Sequence, residues 1–193
     1  MNIAAVVLAA GASSRLGEPK QLLRDRNDEA LVHRVARDAI QAGCTSVVIV
    51  VGAVPDSVRE AVADLNVTCV ENKNWSTGLS TSIHAGVRAA MDHDAQAVLL
   101  LTCDMPSVGV AHLQSLISLL NNGATRVASA YGDTVGIPAV VRREEFDVLV
   151  SLTGDRGAKV LLMRDDTATV LLADGTCDLD TPENVAAWRA RSR

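Results

Sequence analysis

Short apolar runs of β type alternate along the chain with longer stretches whose apolar residues recur at helical spacing. Residues 3–8, 47–51 and 97–101 are uncharged runs of Val, Leu, Ile and Ala, the pattern of strands buried on both faces. Residues 30–42 place Leu31, Val35, Ala36, Ala39 and Ile40 along one helical face and stop at Gly43, a residue suited to ending a helix. Pro55 opens a helix reaching about residue 65, with Asp56 and Glu60 near its positive end. Further helices are expected at 79–91, 110–120, 144–151, 157–164 and 182–190, and strands at 67–70, 126–130, 140–142 and 169–172. Repeated strand–helix units imply an α/β fold with a mostly parallel sheet, helices on both faces and right-handed crossovers. The closely spaced runs between 126 and 142 add one antiparallel pair.

No linker, repeat or low-complexity tract interrupts this pattern, so residues 1–193 are expected to form a single domain. Hydrophobic residues make up 48% of the chain but aromatics only 2%, so the core has to be aliphatic. The net charge of −5 argues against a nucleic-acid or anionic-membrane partner, and any phosphate must be met by local cations. Cys44, Cys69, Cys103 and Cys177 form no CxxC pair, which suits a reducing cytoplasm. Cys103 is expected to be a small buried residue. No run reaches the ~20 apolar residues of a membrane span.

The first strand-like run feeds the segment Leu8-Ala9-Ala10-Gly11-Ala12-Ser13-Ser14-Arg15-Leu16-Gly17-Glu18-Pro19-Lys20-Gln21. Gly11 lets a ligand approach the backbone and permits positive φ, and successive N–H groups in such a turn make an anion site. Arg15 offers a planar fork and Lys20 a mobile point charge. The segment therefore reads as a phosphate cradle at the C-terminal end of a strand. It is not GxGxxG, because Ser13 and Leu16 stand at the later glycines, nor a P-loop, because Glu18 follows Gly17. A surface turn with solvated charges is the plain alternative.

Asp104 follows the run 97–101 and so belongs to the same edge as this loop. A carboxylate beside bound phosphates suits Mg²⁺, which combines a carboxylate or two with phosphate oxygens and water; an Asp-Met-Pro turn is the rival reading. Of Asp178 and Asp180, which flank Leu179, one is expected to face the site. Thr181, Pro182 and Glu183 suit the N-cap, first and second positions of the last helix. Gly78, Ser80 and Ser82 open a helix with groups able to bond a base or ribose, or simply to cap it. His33, His84, His93 and His112 are dispersed and expected to play structural parts, and Trp75 and Trp188 to pack.

The N-terminal segment resembles LAAGxSxRxGxPKxLL, the signature of nucleotidyltransferases of the nucleotide-diphospho-sugar transferase type. The chain resembles molybdopterin cytidylyltransferases and related molybdenum-cofactor nucleotidyltransferases, the MobA-like NTP transferase family. The blocks Asn72 to Ser82, Cys103-Asp104-Met105-Pro106, Gly136-Ile137-Pro138, Gly154-Asp155-Arg156-Gly157-Ala158 and Asp178 to Glu183 continue the resemblance in order. It implies a three-layer α/β/α sandwich, Rossmann-like, with one reversed strand. It implies nucleotide binding by Leu8, Ala9, Ala10, Gly11, Ser14, Arg15, Lys20, Gly78, Ser80 and Ser82, catalytic roles for Arg15, Lys20 and Asp104, and Mg²⁺ on Asp104 and Asp180. Gly136-Ile137-Pro138 would line the acceptor side, and Arg156 would meet a phosphorylated acceptor or pair with Asp155.

The expected reaction is transfer of CMP from CTP to the terminal phosphate of molybdopterin, with a molybdoenzyme or maturation factor receiving the product. The donor expectation rests on Ala10, where guanylyl relatives tend to carry glycine. Alternatives are guanylyl transfer in the same pathway, cytidylyl transfer to another phosphorylated small molecule, and a non-catalytic nucleotide-binding accessory protein. A nicotinamide oxidoreductase is disfavoured by the missing GxGxxG.

Overall fold

The computed structural model describes residues 1–173, 175 and 178–191; Cys177 lies outside them. The apolar runs form a seven-stranded sheet of β1 (Ile3–Ala9), β2 (Ser46–Val51), β3 (Thr68–Glu71), β4 (Ala97–Thr102), β5 (Arg126–Tyr131), β6 (Thr134–Arg142) and β7 (Ala168–Leu171). Their spatial order is β3-β2-β1-β4-β6-β5-β7. All neighbours are parallel except those of β6, which runs against β4 and β5. This is the expected mostly parallel sheet with one reversed strand. Among the described residues no helix is long and apolar enough to cross a membrane.

The helices are α1 (Leu31–Gln41), α2 (Pro55–Ala61), α3 (Leu79–Asp92), α4 (Val110–Asn121), α5 (Phe146–Val150), α6 (Lys159–Leu162) and α7 (Pro182–Arg191). Strand alternation divides the core into two layers. Ile3, Ala5, Val7 and Ala9 of β1 pack with α1, α4, Val185 and Trp188. Ala4 and Val6 pack on the other face with Ile83 and Val87 of α3, Phe146 and Leu149 of α5, and Leu161 and Leu162 of α6. The aliphatic composition lets helices approach closely: a Cβ built on Gly86 of α3 would lie 2.2 Å from Val6 Cγ1 and 3.0 Å from Val50 Cγ2.

The departures from the expected elements have local causes. β6 begins at Thr134 rather than near 140, although Gly136 and Pro138 lie within it. The pairing jumps from Ala128↔Ala139 to Ser129↔Gly136, so Ile137 and Pro138 form a bulge, where a missing proline N–H does no harm. The 144–151 stretch divides into a 3-10 turn at Arg143–Glu145 and α5. The 157–164 stretch contracts to the single turn α6, and α2 ends at Ala61, short of 65. Thr181 caps α7 through its hydroxyl, which accepts the Asn184 N–H at 3.3 Å. Cys103 is buried, as expected, and burial pushes its thiol up to about 12.

The contact beneath Gly86 generates a direct test. Gly86→Ala is expected to destabilise the protein by about 1–3 kcal/mol through overpacking, despite alanine's higher helix propensity. An unchanged urea midpoint would contradict this close approach of α3 to the sheet.

Candidate active site

β1 and β4 lie side by side and parallel, so the loop after β1 and Asp104 after β4 emerge on one edge. The loop is stiffened from inside. Ser13 adopts φ 53° and Gly17 φ 81°, and the Ser13 carbonyl accepts the N–H groups of Leu16 and Gly17 at 2.9 and 3.2 Å. Ser13 Oγ accepts the Lys20 N–H at 3.0 Å. Gln21, 2% exposed, donates from Nε2 to the Gly11 carbonyl at 3.2 Å. Gly11 itself has no positive φ; a Cβ built on it meets nothing within 4 Å. Its part is to leave open space above the backbone.

These constraints deliver Lys20 to two carboxylates. Lys20 Nζ donates to Asp104 Oδ2 and, at 3.0 Å, to Asp180 Oδ1. The exposed Arg15 donates to Asp180 Oδ2 at 3.2 Å. The 178–180 segment is fastened by the Leu179 N–H, which donates to the Asp104 carbonyl at 2.9 Å. Burial pulls the Lys20 pKa down, but the charges and hydrogen bonds of Asp104 and Asp180 outweigh it and hold it above the ordinary lysine value. The same hydrogen bond from Lys20 lowers the Asp180 pKa.

Of the two aspartates that flank Leu179, Asp180 bonds Lys20 and Arg15. Leu179 is fully buried, and its neighbours are left on the open side. Burial, then the charges of Asp104 and Asp180, raise the Asp178 pKa to about 6. Asp104 and Asp180 therefore meet Lys20, and Asp180 also meets the guanidinium of Arg15. This donor set suits a hard divalent cation. Among the described residues no group of three His, Cys, Asp or Glu side chains could hold a metal by itself. Asp104 and Asp180 would need phosphate oxygens and water to complete the shell, which is how Mg²⁺ is ordinarily bound.

Two clefts of about 300 Å³ each share Gly11. The first is charged, lined by Ser14, Arg15, Lys20 and Asp180. The second is mostly uncharged, lined by Leu8, Ala10, Trp75, Gly78 and Ser82, with Asp155 at its border. Asn72, which sequence reasoning passed over, organises its wall. Asn72 Nδ2 donates to Thr81 Oγ1 at 2.8 Å and Ser82 Oγ at 3.0 Å, and its Oδ1 accepts the Asn74 N–H at 3.0 Å. Gly78 has φ 131°, and a Cβ there would fall 2.3 Å from the Gly154 carbonyl oxygen. Ser80 is buried, and its N–H donates to that same carbonyl at 3.1 Å. Thus Leu8, Ala10, Gly11, Ser14, Arg15, Lys20, Gly78, Ser82 and Asp180 line the clefts and Asp104 joins through Lys20, whereas Ala9 and Ser80 lie in the packed wall. Trp75 packs, as expected, and also lines the second cleft. His33 pairs with Glu29 and Asp64, and His112 with Ser129.

A family model described as the MobA-like NTP transferase domain matches residues 5–169. The chain belongs to this family. It is 34% identical over 170 residues to nicotine blue oxidoreductase of Paenarthrobacter nicotinovorans, covering 83% of this chain and 81% of that protein. It is 26% identical over 189 residues to the molybdenum cofactor cytidylyltransferase of Escherichia coli (strain K12), covering 96% and 95%. It also resembles a Mycobacterium tuberculosis protein crystallised in complex with manganese, with TM-score 0.75, 26% identity and coverage of 98% and 99%. The MobA-like chain is a nucleotidyltransferase by family, and its sheet is that of the nucleotide-diphospho-sugar transferases. Nucleotidyltransferases of this kind use divalent metals.

The raised Asp178 pKa predicts a pH-dependent cost in the metal-free protein. Below about pH 3.8 the carboxyl is protonated in both folded and unfolded chains, and the cost vanishes. It grows as pH rises towards 6, where the folded protein must ionise a group held above its ordinary value. In EDTA, Asp178→Asn is expected to match the wild-type melting temperature at the low end and exceed it near neutrality. A constant difference across this range would contradict the raised Asp178 pKa.

Proposed function

We propose that this MobA-like protein, as a single domain over residues 1–193, transfers CMP from CTP to the terminal phosphate of a phosphorylated small molecule, molybdopterin being the favoured acceptor. The observation that carries this reading is the Lys20 ammonium held between Asp104 and Asp180, beside a loop open at Gly11. The charged cleft suits a triphosphate, and the adjoining uncharged cleft suits a nucleoside. The similarity to the Escherichia coli molybdenum cofactor cytidylyltransferase over nearly the whole chain supports both donor and acceptor. Ala10, whose side chain is buried against the nucleoside cleft, supports a pyrimidine. The unpaired Cys44, Cys69 and Cys103 fit a cytoplasmic setting.

In this reading an oxygen of the acceptor phosphate attacks the α-phosphorus. The new phosphorus–oxygen bond forms as the α–β bridging bond breaks, and pyrophosphate leaves with the electron pair. The acceptor oxygen is already anionic, so no side chain has to remove a proton. Arg15, Ser14 and the loop N–H groups hold the β- and γ-phosphates, and Lys20 neutralises charge at the α-phosphate. Asp104 and Asp180 would hold Mg²⁺, which supplies charge neutralisation and orientation when bound. Leu8, Ala10, Gly11, Gly78 and Ser82 form the nucleoside wall, with Ala9 and Ser80 supporting it from behind. Catalysis is then positioning and electrostatic stabilisation. A molybdoenzyme or its maturation factor would take the product.

A second reading follows from the relative named nicotine blue oxidoreductase, which shares 34% identity. On that reading the clefts would hold a reduced nicotinamide cofactor instead of CTP. The two separate cleanly. With Mg²⁺, molybdopterin and each of the four nucleoside triphosphates, CTP is expected to release pyrophosphate fastest, and Lys20→Ala or Asp104→Ala to slow release roughly 10²–10³-fold. Equal turnover with GTP would remove the donor assignment. Nucleotide binding without pyrophosphate release would favour an accessory protein, and NADH or NADPH oxidation without release would favour the oxidoreductase.

A further inference from the structure

The sheet opens beside Asp104. β4 stays paired to β1 as far as Leu8↔Thr102, but its pairing with β6 stops at Leu100↔Ala139. Beyond that point the Ile137–Pro138 bulge carries β6 away from β4, and Ser129 Oγ secures it by donating to the Pro138 carbonyl at 2.6 Å. β6 is thus unpaired with β4 where the carboxylate cluster begins.

Tyr131, the chain's single tyrosine, ends β5 on the far side of this opening. Two glycines make room for it. A Cβ on Gly136 would lie 2.2 Å from the Tyr131 hydroxyl oxygen, and one on Gly175 would lie 2.8 Å from Tyr131 Cβ. The half-buried ring therefore stands against the Gly136-Ile137-Pro138 bulge, with its hydroxyl at Gly136. Burial and the charges of Asp178 and Asp104 raise its pKa, so at neutral pH the phenol keeps its proton and can donate.

Strand order assigns the two sides. The phosphate loop and the nucleoside cleft belong to β1, on one flank of β4, while β6 and β5 lie on the other. In-line displacement brings the incoming oxygen from the side opposite the departing pyrophosphate. Resting on the nucleotidyl-transfer reading above, with the acceptor on the Gly136-Ile137-Pro138 side that the family resemblance implies, we propose that Tyr131 donates a hydrogen bond to the acceptor's phosphate. A neutral donor is the chemistry this flank requires: Asp104 and Asp178 would repel a phosphate left without one.

The single tyrosine allows a measurement that needs no assignment. In protein labelled with [¹³Cζ]tyrosine, Mg²⁺ and a non-hydrolysable CTP analogue are expected to move the resonance little, and inorganic phosphate added to that complex to move it further. With molybdopterin as acceptor, Tyr131→Phe is expected to raise the acceptor KM about tenfold while changing the CTP KM less than about twofold. Gly136→Ala, which keeps the tyrosine but displaces its hydroxyl, should give the same split. A resonance indifferent to phosphate, or KM values for donor and acceptor that change together or not at all, would overturn the proposal. If the wild-type protein does not use molybdopterin, the acceptor assignment fails on its own, and the phosphate titration still decides the place of Tyr131.

Discussion

Two carboxylates bridged by one ammonium, at the end of a parallel sheet, form the charged centre that the rest of the site is built around. Lys20 spans Asp104 and Asp180, and Arg15 reaches only the outer oxygen of Asp180 from a largely exposed position. Burial, then the charges of Asp104 and Asp180, hold the Asp178 carboxyl above the ordinary range. Mutual repulsion of this kind disfavours the charged forms unless further positive charge enters. A divalent cation accompanied by a triphosphate answers both signs of charge: the metal meets the aspartates, and the phosphates meet Lys20, Arg15 and the loop. The same groups that balance one another in the ligand-free protein are thus complementary to a metal–nucleotide pair.

The fold makes that cluster unavoidable. β1 and β4 are adjacent and parallel, so their exits coincide, and the backbone bond from Leu179 to Asp104 brings the segment before α7 to the same place. Leu179 enters the core and fixes the direction of its neighbours. Ser13 and Gln21 bend the phosphate loop back so that Lys20, nine residues after Gly11 in the chain, returns to the site. Of the residues in these supporting contacts, Gly11, Ser13, Lys20 and Leu179 also line the charged cleft. Their contribution is to hold the charged groups in place before any ligand arrives, which is the condition for electrostatic preorganisation.

The buried strands and amphipathic helices were legible because the periodicity of β1, β2, β4 and α1 reports burial directly. The Lys20–Asp104–Asp180 grouping was legible from the loop, the strand end and the family resemblance together. What escaped had physical reasons. Gly136 and Pro138 argue against a strand, and only the bulge opposite Ser129 reconciles them with β6. Gln21 and Asn72 are polar residues of types usually exposed, and nothing local announces that one will be buried against Gly11 and the other against Ser82. Of the two roles expected of Gly11, close approach and positive φ, the structure shows the open face and not the positive φ. Local pattern identified the elements; contacts distant in sequence decided which polar side chains share a surface.

Relatives named for a cytidylyltransferase and for an oxidoreductase both align with most of this chain, so family membership alone does not select the chemistry. The arrangement of charge is more discriminating. A hydride transfer needs a donor ring and an acceptor ring held in contact, for which the apolar cleft at Leu8, Ala10 and Trp75 would be the relevant surface. It gives no work to Asp104 and Asp180 gathered on Lys20. Phosphoryl chemistry uses all three, because charge must be redistributed between the α-phosphate and its leaving group within a partly desolvated space, where an ammonium and carboxylate-held cation act more strongly than in water. The sheet adds a second constraint. On the proposed reading, with the nucleotide on the β1 side, the acceptor would approach from the flank opened by the β6 bulge. In the proposed reaction, charge and strand order thus bear on the same geometry from independent features of the chain.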